Sequence, residues 1–238
     1  MMRGLAIAFA FLTRLPTPKV AWDARGQAAS LKWYPAVGLM LGLLLALLAF
    51  VLYRLPSLPV AVVVFTAWVL LTGALHLDGL ADSADAWVGG LGDRTRTLAI
   101  MKDPRCGPAG VMALVTLALL KVSMLTALPS PWWLLLPPLL ARGALVGLVL
   151  TTPYVREGGL GDGLRGASAT TCRVAIVLTM LGALCFGMTG ALSLLIAVIV
   201  AGAWRVACMR RLGGFTGDTA GAMVEMIEAA VLFGCLLR

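Results

Sequence analysis

Long apolar runs constrain this chain more than any other feature. Of its 238 residues, 61% are hydrophobic and 13% are charged, whereas soluble domains carry roughly 25% charged residues. A helix needs about 20 apolar residues to cross a hydrocarbon core roughly 30 Å thick. The composition therefore excludes soluble, disordered and disulfide-stapled folds. It predicts a single all-α integral membrane domain, a polytopic helix bundle over residues 1–238.

Seven segments are predicted to span the membrane, six strongly and one weakly. The run Val174–Ala203 is too long for one span, so we expect it to turn near Gly187–Gly190 and to supply two. The weak segment, Thr219–Leu237, carries two glutamates in its first half. The shorter apolar segment Leu5–Leu12 is expected to be a retained, interfacial N-terminal helix. The other strong segments are Ala36–Tyr53, Leu58–Leu75, Ala109–Leu128 and Trp132–Thr152.

The distribution of basic residues predicts the orientation. Among the 19 lysines and arginines, fifteen fall in segments that alternating spans place on one side, and only Arg54 and Arg238 fall on the other. The positive-inside rule then puts the N-terminus in the cytoplasm and the C-terminus outside. The acidic residues lie on or just beneath the same face, so we expect any chemistry there. No basic run has interleaved aromatic residues, so the expected partner is the lipid bilayer and not nucleic acid.

Three aspartates follow the second predicted span. In a continuous helix Asp78, Asp82 and Asp85 stand at i, i+4 and i+7 and share one face. Carboxylates about 4 Å apart repel by roughly 4 kcal/mol at an effective dielectric near 20, so this arrangement requires a cation or raised pKa values. Carboxylates with water ligands suit Mg²⁺ or Mn²⁺. The alternative is a solvated acidic helix end.

A short charged string precedes the third predicted span. Lys102 and Arg105 can hold phosphate oxygens, while Asp103 between them can bind a metal or take a proton. The alternative is a positive-inside anchor followed by a Pro/Gly turn.

Two basic residues, Lys121 and Arg142, fall inside predicted spans. A cation there costs about 2.5 to 3.5 kcal/mol unless it faces protein or water. We expect Arg142 to meet either a substrate phosphate or a buried carboxylate, Glu225 or Glu228.

Three glycine-rich turns that end in aspartate fall on the predicted cytoplasmic face, at residues 89–93, 158–162 and 213–218. Turns of this kind let backbone N–H groups approach a phosphate. In a chain with 27 glycines, coincidence explains them equally well.

Six motifs, in order and at compatible spacing, resemble the cobalamin synthase family of adenosylcobinamide-GDP ribazoletransferases. The resemblance runs from end to end and departs from the family pattern at Asp85-Ala86, where Asp-Gly is expected. The motifs are Phe-Leu-Thr-Arg-x-Pro at 11–16, Tyr-Pro-x-x-Gly at 34–38, His-Leu-Asp-Gly-Leu-Ala-Asp-x-x-Asp at 76–85, Ile-Met-Lys-Asp-x-Arg-x-Gly at 100–107, Pro-Tyr-x-Arg-x-x-Gly-Leu-Gly at 153–161 and Gly-Gly-x-Thr-Gly-Asp-x-x-Gly-Ala at 213–222.

The resemblance implies a prokaryotic inner-membrane, Mg²⁺-dependent enzyme of late cobalamin synthesis. Such an enzyme joins adenosylcobinamide-GDP to α-ribazole or α-ribazole 5′-phosphate and releases GMP. The resemblance and the residue pattern together predict that Asp78, Asp82 and Asp85 are Mg²⁺ ligands. The first candidate for the base is Asp103, and the second is Asp82. The predicted substrate ligands are Lys102, Arg105, Arg156, Arg14, Arg142 and Asp218.

Two other functions compete. A CDP-alcohol phosphotransferase also clusters aspartates at a helix end, but its expected pair, three apart with glycine after the second, is not met by Asp78-Gly79 and Ala81-Asp82. A transporter would use the charged residues inside the spans as a path, yet the outer loops carry almost nothing to receive a substrate. The sequence leaves open the preferred lower base, the acceptor and whether copies form a homo-oligomer.

Overall fold

The computed structural model describes residues 2–156, 158–159 and 161–237, and its regular structure is helical throughout, which confirms the all-α prediction. Leu160 of the second glycine-rich turn and Arg238 lie outside the described residues. The helices are α1 (Met2–Leu12), α2 (Ala24–Ser30), α3 (Tyr34–Val51), α4 (Ser57–Thr72), α5 (Leu75–Gly89), α6 (Arg94–Ile100), α7 (Pro108–Thr126), α8 (Leu136–Thr151), α9 (Ala169–Leu184), α10 (Gly187–Leu212) and α11 (Gly217–Gly234).

Four helical stretches of the described chain are long and apolar enough to cross a bilayer, and the number is five if α4 and α5 form one broken span. Membrane character is thereby supported, whereas the predicted count of seven is not confirmed. The 16 residues of α9 extend about 24 Å, less than the hydrocarbon core. The four stretches are Ala24–Val51, Pro108–Thr126, Pro131–Thr151 and Gly187–Leu212.

The predicted turn inside the long apolar run is confirmed. Helix α9 ends at Leu184 and α10 begins at Gly187, whose φ of +62° lies in the left-handed region that glycine adopts without steric cost. The N-terminal apolar segment is helical, as α1, and packs against α2 and α3.

A sharp bend separates α4 from α5. The two helix axes differ by 89°, and the junction holds two consecutive left-handed residues, Gly73 at φ +62° and Ala74 at φ +58°. For alanine this conformation costs roughly 1–2 kcal/mol. The Arg14 backbone N–H donates to the Leu71 carbonyl at 2.7 Å, which satisfies an acceptor at the end of α4. The bend turns α5 aside, so α5 does not continue the direction of α4.

A charge cluster lies buried in the centre of the bundle. Lys121 of α7 donates to Glu225 and Glu228 of α11, both at 2.6 Å. Arg142 of α8 donates through Nη1 to Glu228 and lies 3.4 Å, from Nη2, from His76 Nδ1 of α5. Every member is at most 5% exposed. Of the two partners expected for Arg142, the structure has the buried carboxylate.

The cluster is electrically balanced, because two cations face two carboxylates. The Lys121 ammonium also lies 4.5 Å from the ring centroid of Trp68 on α4, a favourable cation–π position. Five helices therefore meet at these charges. Removing one partner of a buried pair leaves an uncompensated charge, which typically costs about 3–5 kcal/mol.

We expect Lys121→Met to lower the free energy of unfolding by about 3–5 kcal/mol, because it leaves two buried carboxylates facing one guanidinium. Adding Glu225→Gln to the same protein restores neutrality and should recover much of that loss. The measurement is denaturant unfolding of the detergent-purified protein. Equal stabilities of the single and double variants would refute charge balance as the governing factor.

Candidate active site

The three aspartates of the His-Leu-Asp-Gly motif lie on one continuous helix, as predicted. Helix α5 runs unbroken from Leu75 to Gly89, so Asp78, Asp82 and Asp85 follow one another at about one turn each. Asp78 is exposed, whereas the other two are partly buried.

The N-terminus of α11 crosses α5 beside these aspartates. A Cβ on Gly79 would lie 2.6 Å from the carbonyl oxygen of Asp218, and one on Gly221 would lie 3.2 Å from the Cα of His76. Glycine at both positions lets the two backbones approach. Helix α11 begins with a reciprocal cap, in which the Thr216 side chain accepts from the backbone of the first turn.

Acidic groups and one arginine lie together at this crossing. Arg156 donates to Asp218 at 2.9 Å, and the Thr216 hydroxyl donates to the same oxygen at 3.4 Å. Burial and the nearby carboxylates of Asp78 and Asp218 raise the pKa of Asp82 to about 6. This crowding of negative charge is the situation that a bound cation relieves.

A divalent cation fits this arrangement with two protein carboxylates. Among the described residues, no three His, Cys, Asp or Glu side chains form a metal-binding group by themselves. Mg²⁺ is usually held by one or two carboxylates and completes its shell with waters and substrate phosphates. Asp78 and Asp82, one turn apart and without a protein partner in the described chain, meet that requirement.

The carboxylate of Asp85, unlike those of Asp78 and Asp82, has hydrogen-bond partners in the described chain. Its carboxylate accepts from the backbone N–H of Gly107 at 2.7 Å and of Gly110 at 2.9 Å. A Cβ on Gly107 would lie 2.6 Å from the same carboxylate. Asp85 therefore satisfies two free donors at the N-terminus of α7, where a negative charge is favourable.

The charged segment at residues 102–105, which precedes α7, contains an internal ion pair. Arg105 donates to both oxygens of Asp103, at 2.9 and 2.7 Å. This pairing lowers the pKa of Asp103 to about 2. The Arg105 side chain is 87% exposed, and Lys102 is exposed beside it.

The remaining two predicted substrate ligands lie apart from each other. Arg14 is exposed, and its side chain lies against Gly73 at the bend that precedes α5. Arg142 is fully buried and paired with Glu228. The structure therefore brings Arg14 to the surface near the start of α5 and holds Arg142 inside the bundle.

Of the three aspartates that end the glycine-rich turns, one lies at the crossing of α5 and α11. Asp93 caps α6, and Asp162 accepts from the Gly158 backbone and pairs with Arg165. Only Asp218, in the third turn, lies against α5 in the described chain.

The departure from the motif at Ala86 leaves α5 intact. The helix continues through Trp87, whose ring stacks on Trp204 with centroids 5.0 Å apart. Arg211 lies 5.4 Å from the Trp87 ring centroid and donates to its carbonyl at 2.6 Å. Trp204 also donates to the Thr219 carbonyl at 2.8 Å, so this stack ties the end of α5 to the start of α11.

Sequence reasoning missed a set of aromatic side chains beside the aspartates. A cavity next to Asp78 is lined by four of these aromatic residues, Phe11, Tyr34, Tyr154 and Phe215. Phe11, Tyr34 and Tyr154 are fixed positions of the six motifs, whereas Phe215 occupies a variable position of the last one.

The family model of cobalamin-5-phosphate synthase matches residues 4–236. The chain belongs to this family. The resemblance drawn from the six motifs is thereby confirmed. No solved structure gives a significant match.

Relatives of the cobalamin-5-phosphate synthase family match almost the whole chain. A protein of Stutzerimonas stutzeri (strain A1501) named adenosylcobinamide-GDP ribazoletransferase is 51% identical over 243 residues, covering 100% of this chain and 99% of its own. A protein of the same name from Pseudomonas fluorescens Pf-5 is 49% identical, and the match covers 97% of this chain and 98% of the relative. Another, from Pseudomonas aeruginosa PAO1, is 47% identical, and the match covers 99% of this chain and 98% of the relative.

We expect Asp85→Ala to lower the free energy of unfolding by about 1–3 kcal/mol, because it leaves two backbone donors at the start of α7 unsatisfied. Hydrogen exchange of the amides of Gly107 and Gly110 should accelerate with it. The matched control is Asp93→Ala, which removes a single, exposed cap and should cost less. Unchanged exchange at both glycines in Asp85→Ala would contradict the capping role.

Proposed function

We propose that this chain is an adenosylcobinamide-GDP ribazoletransferase of late cobalamin synthesis. The observation that carries the proposal is the match, over at least 97% of both chains, to relatives that bear that name. The substrates are adenosylcobinamide-GDP and α-ribazole or its 5′-phosphate. The products are adenosylcobalamin or its 5′-phosphate, and GMP.

The reaction is a phosphoryl transfer between a diphosphate and a ribose hydroxyl. The hydroxyl oxygen of the ribazole attacks the phosphorus nearer the cobinamide, and a new P–O bond forms. The P–O bond to the GMP phosphate breaks, and the hydroxyl proton passes to a carboxylate. Little covalent chemistry falls to the protein in such transfers, which depend on positioning and charge stabilisation.

Asp78 and Asp82 are the carboxylates that we assign to Mg²⁺. They lie one turn apart on α5, and the raised pKa of Asp82 reflects negative charge that a cation would offset. When bound, Mg²⁺ supplies neutralisation of the diphosphate charge. Asp85 was expected as a third ligand, but its two backbone hydrogen bonds favour a role in holding the start of α7.

Exposed basic side chains around α5 are proposed to bind the phosphates. Lys102 and Arg105 lie on the segment that Asp85 joins to α5, and Arg14 lies at the bend that begins α5. Arg156 is held by Asp218, which orients its guanidinium while leaving other N–H groups for a phosphate. Arg142, which Glu228 neutralises, is reassigned to the support of the bundle.

Asp82 is a better base than Asp103. The Asp82 carboxylate lies beside Asp78 and Asp218 and has no ion-pair partner in the described chain, whereas Arg105 binds both oxygens of Asp103 and lowers its pKa to about 2, which makes Asp103 a weak base. Because a carboxylate has two oxygens, one oxygen of Asp82 can face the cation and the other the hydroxyl.

The site is proposed to face the cytoplasm, at the inner membrane of a prokaryote. Fifteen basic residues on the segments at this end of the predicted spans support that orientation by the positive-inside rule. The transporter alternative is disfavoured, because the charges inside the bundle pair with one another.

We expect detergent-purified protein to release GMP only when both substrates and Mg²⁺ are present, and EDTA to abolish the release. Asp82→Asn should fall below about a tenth of wild-type turnover, since metal-assisted charge stabilisation contributes several kcal/mol. Asp93→Asn is the control, because asparagine caps a helix as well as aspartate does. Folded wild-type protein that releases no GMP with any lower base or metal would refute the proposal.

We expect Asp103→Asn to keep at least about half of wild-type turnover, because a carboxylate held at a low pKa contributes little as a base. Initial rates of GMP release at saturating substrates provide the measurement, with Asp82→Asn assayed alongside. A loss in Asp103→Asn as deep as that in Asp82→Asn would return Asp103 to the role of base.

A further inference from the structure

A partly open cavity of about 180 Å³ lies beside the crossing of α5 and α11. Four aromatic side chains are among the residues that line it. Phe11 and Tyr34 stack with ring centroids 6.1 Å apart, and Tyr154 meets Phe215 edge-on at 5.2 Å. Leu145 of α8, 6% exposed, adds an aliphatic wall.

The same cavity opens onto the candidate active site. Asp78 and Asp218 are among its lining residues, so a ligand seated between the aromatic rings has its next atoms beside these carboxylates. The aromatic walls and the acidic groups thus form two parts of one continuous site.

Backbone hydrogen bonds join the segments that carry Tyr154 and Phe215. The Val155 N–H donates to the Phe215 carbonyl at 3.0 Å, and the Phe215 N–H donates to the Pro153 carbonyl at 2.9 Å. A Cβ on Gly161 would lie 2.5 Å from the Tyr154 ring, so this glycine turn packs directly on it. A preorganised aromatic slot loses little freedom when a flat ring enters.

One buried histidine is also among the residues that line the cavity. His76 lines it and is 4% exposed. The Arg142 guanidinium beside Nδ1 can only donate, so this contact assigns the acceptor to Nδ1 and the proton to Nε2. His76 therefore joins the wall of the cavity to the buried charge cluster.

We propose that this cavity binds the planar base of the nucleoside acceptor and selects it by size. A bicyclic aromatic ring matches the aromatic side chains and the volume of the cavity, and a base seated there directs the attached ribose toward Asp78 and Asp218. A corrin is too large for 180 Å³, and guanine would bring several polar groups against apolar walls. The inference rests on the proposed function and names the part of the site that recognises the base.

The test enlarges the cavity with Leu145→Ala and uses Leu148→Ala as the matched control. Both leucines are buried on α8, at 6% and 4% exposure, but only Leu145 lines this cavity. The readout is kcat/KM for ribazole 5′-phosphates that carry dimethylbenzimidazole or the larger naphthimidazole. We expect Leu145→Ala to shift the ratio about tenfold toward the larger base and Leu148→Ala to leave it unchanged.

The outcomes separate this proposal from the function on which it rests. If wild-type protein releases no GMP, the transferase function fails. If wild type is active and Leu145→Ala leaves the base ratio unchanged, the cavity proposal is overturned. It is also overturned if Leu145→Ala changes only the KM for adenosylcobinamide-GDP, which would place guanine in the cavity.

A second variant keeps the test decisive if Leu145→Ala fails to fold. Ala220 of α11 also lines the cavity and is partly exposed, so Ala220→Val narrows the space with little disturbance of packing. We expect it to raise the KM for the dimethylbenzimidazole substrate more than the KM for the unsubstituted benzimidazole analogue. Equal changes for the two bases would overturn the proposal.

Discussion

The buried charge cluster is the interaction on which the arrangement of this bundle depends. In an apolar interior, Lys121 and Arg142 are tolerated only with compensating charge, and Glu225 and Glu228 supply it from a single helix. The pairing fixes α11 against α7 and α8 in register as well as in direction. Through Arg142 it also reaches His76, two residues before the first aspartate of α5. A charge balance deep in the bundle thus sets the position of the groups at its end.

The approach of two backbones then assembles the site. Gly79 and Gly221 let α5 and α11 cross at a distance that side chains would prevent. Asp218 consequently arrives beside the aspartates of α5, although about 140 residues separate them in the chain. Its own arginine partner, Arg156, comes from a third segment. The same crossing forms one wall of the aromatic cavity, so the acidic and aromatic parts of the site share one structural cause.

Much of this could be predicted from the sequence, because apolar length and spacing are local properties. The helical aspartate motif and the turn at Gly187 each follow from a single segment, and the family follows from six short motifs in order along the chain. The bend at Gly73 and Ala74 could not be predicted, since Gly-Ala is a weak helix breaker and the bend is supported by the backbone of Arg14. The hydrogen bonds from the N-terminus of α7 to Asp85 could not be predicted either, because they join residues that are 22 and 25 positions apart in the sequence.

The aspartates of the motifs differ in chemistry because they differ in partners. Asp85 faces backbone donors, Asp103 a guanidinium on its own loop, and Asp218 a guanidinium from another segment. Each of these has its charge compensated by the protein. Asp78 and Asp82 have no such partner in the described chain, yet they stand one turn apart with Asp218 nearby. Uncompensated carboxylates so placed are unfavourable unless a ligand brings positive charge, and this imbalance, more than the number of aspartates, supports the proposal that a cation binds at Asp78 and Asp82.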